Sequence, residues 1–265
     1  MSELYERLYG IDLVYQPDCY KLCGDAHCCS FARHKQHFRI LGKRQFQELP
    51  LLPGEYDFMA ARGYLRQFGE YERKAHAYPL GDGRALYVDS IVSYRQGGCV
   101  CDHDTRPVVC RLYPVLPVMD EVGRLGAIEP FGVYEELEVV AQQEAACQIR
   151  SLPLAQLELW LSFGRTLAES PLVAFHLAAY RLAKRHVAGR LAEARKPGEN
   201  VFAQFEWALL RKRLFDHAAL RAELVALADR YRDHWGERFV LPNEEEAERV
   251  LSGNPSAQAE AGLNS

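Results

Sequence analysis

The chain has no apolar run that approaches the roughly 18 residues of a membrane-spanning helix. Its first residues, Met1 to Arg7, lack the basic and apolar regions of a secretory signal peptide. It also lacks a glycine-rich nucleotide loop, a Gly-x-Ser-x-Gly elbow and a His-Glu-x-x-His pair, so nucleotide-binding and hydrolase classes have no support. These absences predict a cytoplasmic protein that does not contact membranes.

The chain also has no large excess of positive or negative charge. The 265 residues carry a net charge of −4, with 48% hydrophobic and 26% charged residues, which is typical of a chain that buries a core. No aromatic-basic motif or known nucleic-acid reader module is present. We therefore expect no nucleic-acid partner, and the partner or substrate stays unidentified.

Composition divides the chain into three parts and predicts the α+β class. Residues 1–150 are rich in cysteine and in turn residues, which indicates a small cysteine-rich, metal-binding α+β domain. Residues 151–241 carry helical periodicity and no cysteine, which predicts a mostly helical region. Residues 242–265 are polar, which predicts a disordered tail.

Local patterns predict individual elements. A glycine-rich turn at 81–83 precedes an apolar run to residue 94, which indicates a hairpin, and a second strand pair is expected on either side of residues 120–123. Helices are expected at 53–68, at 134–149 and from 153 onward. Three of the expected helices have recognisable N-caps, namely Ser170, Asn200 and Asp216.

The eight cysteines are the most informative feature of the composition. Seven of them form two groups: Cys19, Cys23, Cys28 and Cys29, and then Cys99, Cys101 and Cys110. In a reducing compartment such groups indicate metal ligands, whereas disulfides would need an oxidising one. Cys147 stands alone and is expected to be a small buried residue.

Neither group alone is a complete set of four thiolates with the spacing of a zinc finger. Gly24 in the first group permits a tight turn on which thiolates could converge. The economical arrangement is one metal site built from both groups, which lie about 70 residues apart in the sequence.

Thiolates suit zinc and iron–sulfur clusters almost equally. Zinc would take four thiolates, or three with a nitrogen of His27 or His103. A cluster would take four thiolates with hydrogen-bond donors near its sulfurs, and Arg106 and Arg111 on either side of Cys110 could supply them. Alternatively, these arginines are ordinary surface residues in salt bridges.

The stretch Arg106-Pro107-Val108-Val109-Cys110-Arg111-Leu112-Tyr113-Pro114, preceded by a Cys/Gly/Cys-Cys loop, resembles the YkgJ-like cysteine-cluster proteins. That family is described as zinc- or iron-chelating. Its first element usually reads Cys-x2-Cys-Gly-x-Cys-Cys, and the gaps in this chain are wider. The resemblance covers residues 15–115.

The resemblance implies a metal site, usually described as iron–sulfur, and no single reaction; a flagellin lysine methylase is similar to the same family. A 4Fe–4S cluster is therefore the expected cofactor, with zinc or mononuclear iron as alternatives. An iron–sulfur oxidoreductase or protein-modifying enzyme is one reading, and a zinc-stapled interaction module without catalysis is the other.

Two further clusters contain potential ligands. His34 and His37 lie among basic residues that would repel a cation, so a solvated basic face is expected there. Asp102 and Asp104 favour a turn in which the aspartates cap backbone amides, and His103 between them stays open as a ligand or proton carrier. His176 and His217 are expected to be packed or surface residues.

Overall fold

A computed structural model describes most of the chain outside the first cysteine group and the C-terminal tail. The described residues are 1–13, 37–44, 46–94, 101–133, 137, 153–194 and 199–243. The predicted helix at 134–149, apart from residue 137, and the tail beyond residue 243 lie outside them.

The fold combines small antiparallel sheets with helices, so the predicted α+β class is confirmed. The strands are β1 (Gln47–Leu51), β2 (Tyr71–Pro79), β3 (Ala85–Ser93), β4 (Val115–Met119) and β5 (Leu125–Pro130). The helices are α1 (Ser2–Tyr9), α2 (Glu55–Ala61), α3 (Val108–Leu112), α4 (Leu154–Ala168), α5 (Pro171–Ala194), α6 (Val201–Leu210) and α7 (His217–Trp235). Short 3₁₀ helices cover Leu41–Lys43, Tyr64–Phe68 and Gly236–Arg238.

The first sheet has the order β1–β3–β2, with antiparallel pairing throughout. The strands β2 and β3 form the hairpin predicted from the glycines of its turn, and both Gly81 and Gly83 have a φ of 84°. Such positive φ angles favour glycine because it has no Cβ atom. The central strand β3 carries the buried face of this sheet.

The second sheet is the predicted strand pair, β4 with β5. Its turn is held by Asp120, whose carboxylate accepts hydrogen bonds from the backbone of Val122 at 3.1 Å and of Arg124 at 2.8 Å. Gly123 has a φ of 79° and lies against the Ala168 carbonyl of α4. The turn is therefore packed against the helical part of the chain.

The predicted N-caps are confirmed. The side chain of Asn200 accepts hydrogen bonds from two backbone amides of α6, and Asp216 does the same for α7. Ser170 precedes α5 and accepts from Val173 at 3.4 Å. Caps of this kind satisfy the first amides of a helix, which have no partner within it.

One hydrophobic core joins residues from both sides of position 150. The indole of Trp160 on α4 donates to the Leu112 carbonyl at 2.9 Å, and both residues are buried. Core members from the two parts include Tyr5, Met59, Phe68, Leu116, Phe175 and Tyr231. Residues before and after position 150 therefore pack in the same core, and the division of the chain there into separate domains stays a prediction.

Two expectations differ from the structure. The helix predicted at 53–68 is split into α2 and a 3₁₀ turn, because Gly63 between them takes a left-handed φ of 72°. The first residues of the expected tail are ordered: the Pro242 carbonyl accepts a hydrogen bond from Ala85, and Asn243 forms a β-bridge with Arg84. In the described ranges, no helix is both long and apolar enough to cross a membrane.

His176 on α5 is a packed residue, as expected, and it joins that helix to β3. Its ring is buried, with Nδ1 2.7 Å from the Leu172 carbonyl oxygen and Nε2 2.9 Å from that of Tyr87. Burial lowers the pKa of His176, and the two carbonyl groups only partly offset this effect.

We predict that His176 makes the fold sensitive to acid. Because its pKa in the folded protein lies below the unfolded value of about 6.5, the unfolded chain binds the extra proton first, and stability falls as the pH drops through about 6.5. The pH dependence of urea unfolding between about pH 7 and pH 5 should be steeper for wild type than for His176→Gln. Equal slopes would show that the ring does not contribute.

Candidate metal centre

Two of the seven grouped cysteines lie in the described part of the chain. Cys101 is buried and belongs to the core, and Cys110 on α3 is partly exposed at its edge. The other candidate ligands lie outside the described residues; they are Cys19, Cys23, Cys28, Cys29 and Cys99, and the lone Cys147 lies outside them too.

The segment from Cys101 to Cys110 is a turn followed by one short helix. The backbone amide of Thr105 donates to the Asp102 carbonyl at 3.2 Å, which closes the predicted turn. Pro107 precedes α3, and its carbonyl accepts from the amide of Cys110 at 2.9 Å. Because proline has a fixed φ and no amide hydrogen, it suits this position at the start of a helix.

Gln67 holds this turn from the neighbouring 3₁₀ helix. Its side-chain amide donates to the Thr105 carbonyl at 2.8 Å, and its oxygen accepts from the Asp102 amide at 2.9 Å. One side chain thus contacts both ends of the turn between Cys101 and α3.

Glu55 holds α3 itself. Its carboxylate is fully buried and accepts hydrogen bonds from the Val108 amide at 2.6 Å, the Leu52 amide at 3.0 Å and the Tyr9 hydroxyl at 2.9 Å. Val108 is the first residue of α3, so this bond satisfies an amide that the helix leaves open. Burial raises the pKa of Glu55, against the lowering effect of these donors.

Arg106 and Arg111 are both buried, at 6% and 2% exposure, so the alternative that they are surface residues is wrong. Arg111 donates to the Arg106 carbonyl at 3.1 Å, to the Ile11 carbonyl at 3.2 Å and to the Asp104 carbonyl. Arg106 donates to the Leu13 carbonyl at 3.2 Å. The two guanidinium groups therefore join the turn and α3 to the segment that leads into the first cysteine group.

Arg111 also lies over the ring of Tyr9, with 4.6 Å between its guanidinium carbon and the ring centroid. Burial lowers the pKa of Arg111, because a charged guanidinium loses its hydration there. Among the residues that the structure describes, no carboxylate forms an ion pair with Arg111. Its hydrogen bonds to carbonyls satisfy its donors without neutralising its charge.

These contacts bring the flanks of the two cysteine groups together. Cys19 follows Leu13 by six residues, which can span at most about 20 Å, and Cys99 precedes Cys101 by two residues. A shared site is thus within reach of both groups.

The far end of the first group is anchored on α6. The carboxylate of Glu206 accepts hydrogen bonds from the consecutive amides of Arg39, Ile40 and Leu41, at 2.9, 2.8 and 2.7 Å. Burial raises the pKa of Glu206, but the three amides outweigh it, and the pKa is lowered overall.

The expected solvated face is wrong for His37, which stacks on Phe202 with 4.6 Å between ring centroids. The partly buried ring packs on α6 because the neighbouring backbone is fixed there by Glu206. His34 lies outside the described residues.

His103 lies between two carboxylates at the exposed side of the turn. Its Nδ1 is 2.6 Å from Asp104 Oδ1, and its Nε2 is 3.4 Å from Asp12 Oδ1. His103 lowers the pKa of Asp104 through this hydrogen bond. The carboxylate of Asp104 therefore contacts the imidazole, where a backbone amide was expected.

The thiols and their surroundings suit a soft, thiolate-bound metal group. The described residues alone contain no cluster of three or more histidine, cysteine or acidic side chains that could hold an ion. They supply the thiols of Cys101 and Cys110, and Cys110 is the sequence neighbour of the buried Arg111.

The sequence alone does not reveal the roles of Glu55, Gln67 and Glu206. Their partners lie 53, 38 and 165 residues away along the chain, in the hydrogen bonds to Val108, Thr105 and Leu41. No local pattern marks such residues, because glutamate and glutamine are common on exposed helix surfaces.

We predict that Arg111 stabilises this arrangement. Arg111→Met keeps most of the side-chain length but leaves three backbone carbonyls without their donor, so the free energy of unfolding should fall by about 2 kcal/mol in urea titrations. The control Arg124→Met removes a side chain that is 80% exposed and should change stability by less than about 0.5 kcal/mol. An Arg111 variant as stable as wild type would contradict the anchoring role.

Comparisons with known proteins provide no assignment of this centre. No family model, no curated protein and no solved structure matches the chain. The similarity of residues 15–115 to the YkgJ-like proteins therefore stays a resemblance.

Proposed function

We propose that this protein is a cytoplasmic iron–sulfur protein, related to the YkgJ-like proteins, in which both cysteine groups bind one 4Fe–4S cluster. Such a cluster, when bound, supplies one-electron transfer. The protein would use it for redox or modification chemistry on a substrate that is not yet identified. The cytoplasm fits because thiols stay reduced there.

The buried charge of Arg111 carries this proposal. A guanidinium in the core is costly unless a negative group lies nearby. Glu55 and Asp104 lie close enough to influence Arg111 electrostatically, but within the described residues neither forms an ion pair with it. Thiolates bound to a cluster beside α3 would add to this negative charge.

Cys110 is the ligand that we assign first, since it lies on α3 between the two arginines. Cys101 or Cys99 would be the second ligand, and the first group would supply one of Cys19 and Cys23 and one of Cys28 and Cys29. The guanidinium groups of Arg106 and Arg111 would offset the charge of the bound thiolates. Both arginines would also keep the first group beside the second through Ile11 and Leu13.

The first experiment is anaerobic purification with iron, sulfide and zinc analysis. The proposal predicts a brown protein with broad visible absorbance and about four iron and four sulfide per chain. A colourless protein with one zinc per chain would overturn it in favour of a zinc-stapled interaction module.

Paired cysteine variants test the ligand assignment. Cys110→Ser removes a soft thiolate and should remove most of the iron. Cys147→Ser is the matched control: it should keep the iron and cost about 1 kcal/mol or less of stability. If the Cys147 variant loses about half of its iron, the chain holds two clusters and the single-site assignment is wrong.

A further inference from the structure

A groove of about 620 Å³ lies between the turn of the β4–β5 hairpin and the helices α5 and α7. It is formed by residues other than those of the candidate metal centre. Its volume is within the range of known ligand sites, which is about 300–1,000 Å³. Its walls combine apolar side chains with four arginines, Arg124, Arg181, Arg185 and Arg230.

Two of these arginines are already neutralised. Arg124 donates to Asp120 at 2.8 Å, and Arg181 forms a two-pronged pair with Glu129 on β5. The pair of Arg181 with Glu129 joins α5 to the hairpin. The other two arginines, Arg185 and Arg230, therefore determine which charge the groove attracts.

Arg185 on α5 and Arg230 on α7 are exposed, and within the described ranges neither is paired with a carboxylate. Arg230 donates to the Ala226 carbonyl of its own helix, which leaves its charge in place. The acidic members of the wall include Glu223, which lies 3.1 Å from His186, and the already paired Asp120.

The two unpaired arginines lie at opposite ends of the groove. Contacts of Phe175 with Tyr231 and of His186 with Glu223 show that α5 and α7 run antiparallel. Arg185 is the sequence neighbour of His186, and Arg230 is the sequence neighbour of Tyr231, so the two arginines lie near different contacts. At 1.5 Å per residue, the two positions are roughly 10–13 Å apart along the helices.

The floor between them is apolar. Leu182 of α5 and Leu227 of α7 line the groove, with Ala178 and Ala226 nearby. A ligand that fits must therefore carry two negative groups with an apolar group between them. A nucleic-acid backbone fits less well, because it has no apolar group between its phosphates to contact this floor.

We propose that this groove binds an extended acidic peptide segment of a partner protein, with the pattern acid-x-apolar-x-acid. In an extended strand, residues i, i+2 and i+4 point to the same side, and i to i+4 spans about 13 Å. The two carboxylates then reach Arg185 and Arg230 while the apolar side chain contacts Leu182 and Leu227. This surface is independent of the cysteine groups.

The probe is a rhodamine-labelled peptide Glu-Ser-Leu-Ser-Glu, followed by fluorescence anisotropy with the full chain at low salt. Binding should be saturable, and it should weaken at least threefold when the peptide carries Gln for Glu or Ser for Leu. Arg185→Gln and Arg230→Gln should each weaken binding about threefold and together about tenfold, since exposed charge pairs are individually modest.

Two further variants make the test specific. Ala226→Trp adds a large side chain at an exposed position inside the groove and should abolish binding. Arg232→Gln, on the same helix but outside the groove, should bind like wild type. Circular dichroism confirms that each variant is folded.

The proposal is overturned if no binding occurs up to about 1 mM peptide, a concentration at which even a weak complex is seen. It is also overturned if the double arginine variant binds as tightly as wild type. Tighter binding of a polyuridine strand at the same arginines would assign the groove to nucleic acid instead.

Discussion

The guanidinium of Arg111 is the contact on which the arrangement of the cysteine segments depends. It binds carbonyls of the N-terminal segment, of the turn after Cys101 and of the residue before Pro107, all from inside the core. Glu55 and Asp104 lie close enough to influence the charge of Arg111, and the thiolates of the proposed centre would add to this effect.

Two buried glutamates complete the frame around the first cysteine group. Glu55 binds both the first amide of α3 and the hydroxyl of Tyr9. Glu206, on α6, accepts hydrogen bonds from the backbone of residues 39–41. The stretch between residues 13 and 37 is therefore anchored at both ends by side chains from distant parts of the chain. Glu206 belongs to the helical region, so that region helps to hold the chain next to the candidate centre.

Local signals in the sequence predicted the hairpins and the helix starts. The turn glycines at 81 and 83 and the caps Asn200 and Asp216 act within a few residues of themselves, so their effect can be read from neighbours alone. The roles of Glu55 and Glu206 come from contacts across the whole chain, which no short pattern encodes. The common core is also a long-range feature. Trp160 and Leu112 are in contact across the predicted boundary although 48 residues separate them in the sequence.

The β4–β5 hairpin connects the two surfaces of interest. It begins directly after the motif that ends at Pro114, and its far turn forms one wall of the arginine-lined groove. A partner held in that groove would be linked to the candidate centre by this hairpin, which packs against α4 and α5. This connection would give such a partner a defined position relative to the candidate centre.

Thiol protection tests the central claim of one shared centre most directly. Purified protein is alkylated with iodoacetamide before and after metal removal, and the modified cysteines are identified by mass spectrometry. With one shared centre, Cys110 and members of the first group, Cys19 to Cys29, should become reactive together on metal removal, while Cys147 should be unchanged. Cys101 is not informative because it is buried in the fold itself. Protection confined to one group, or loss of protection at Cys147, would contradict a single centre built from both.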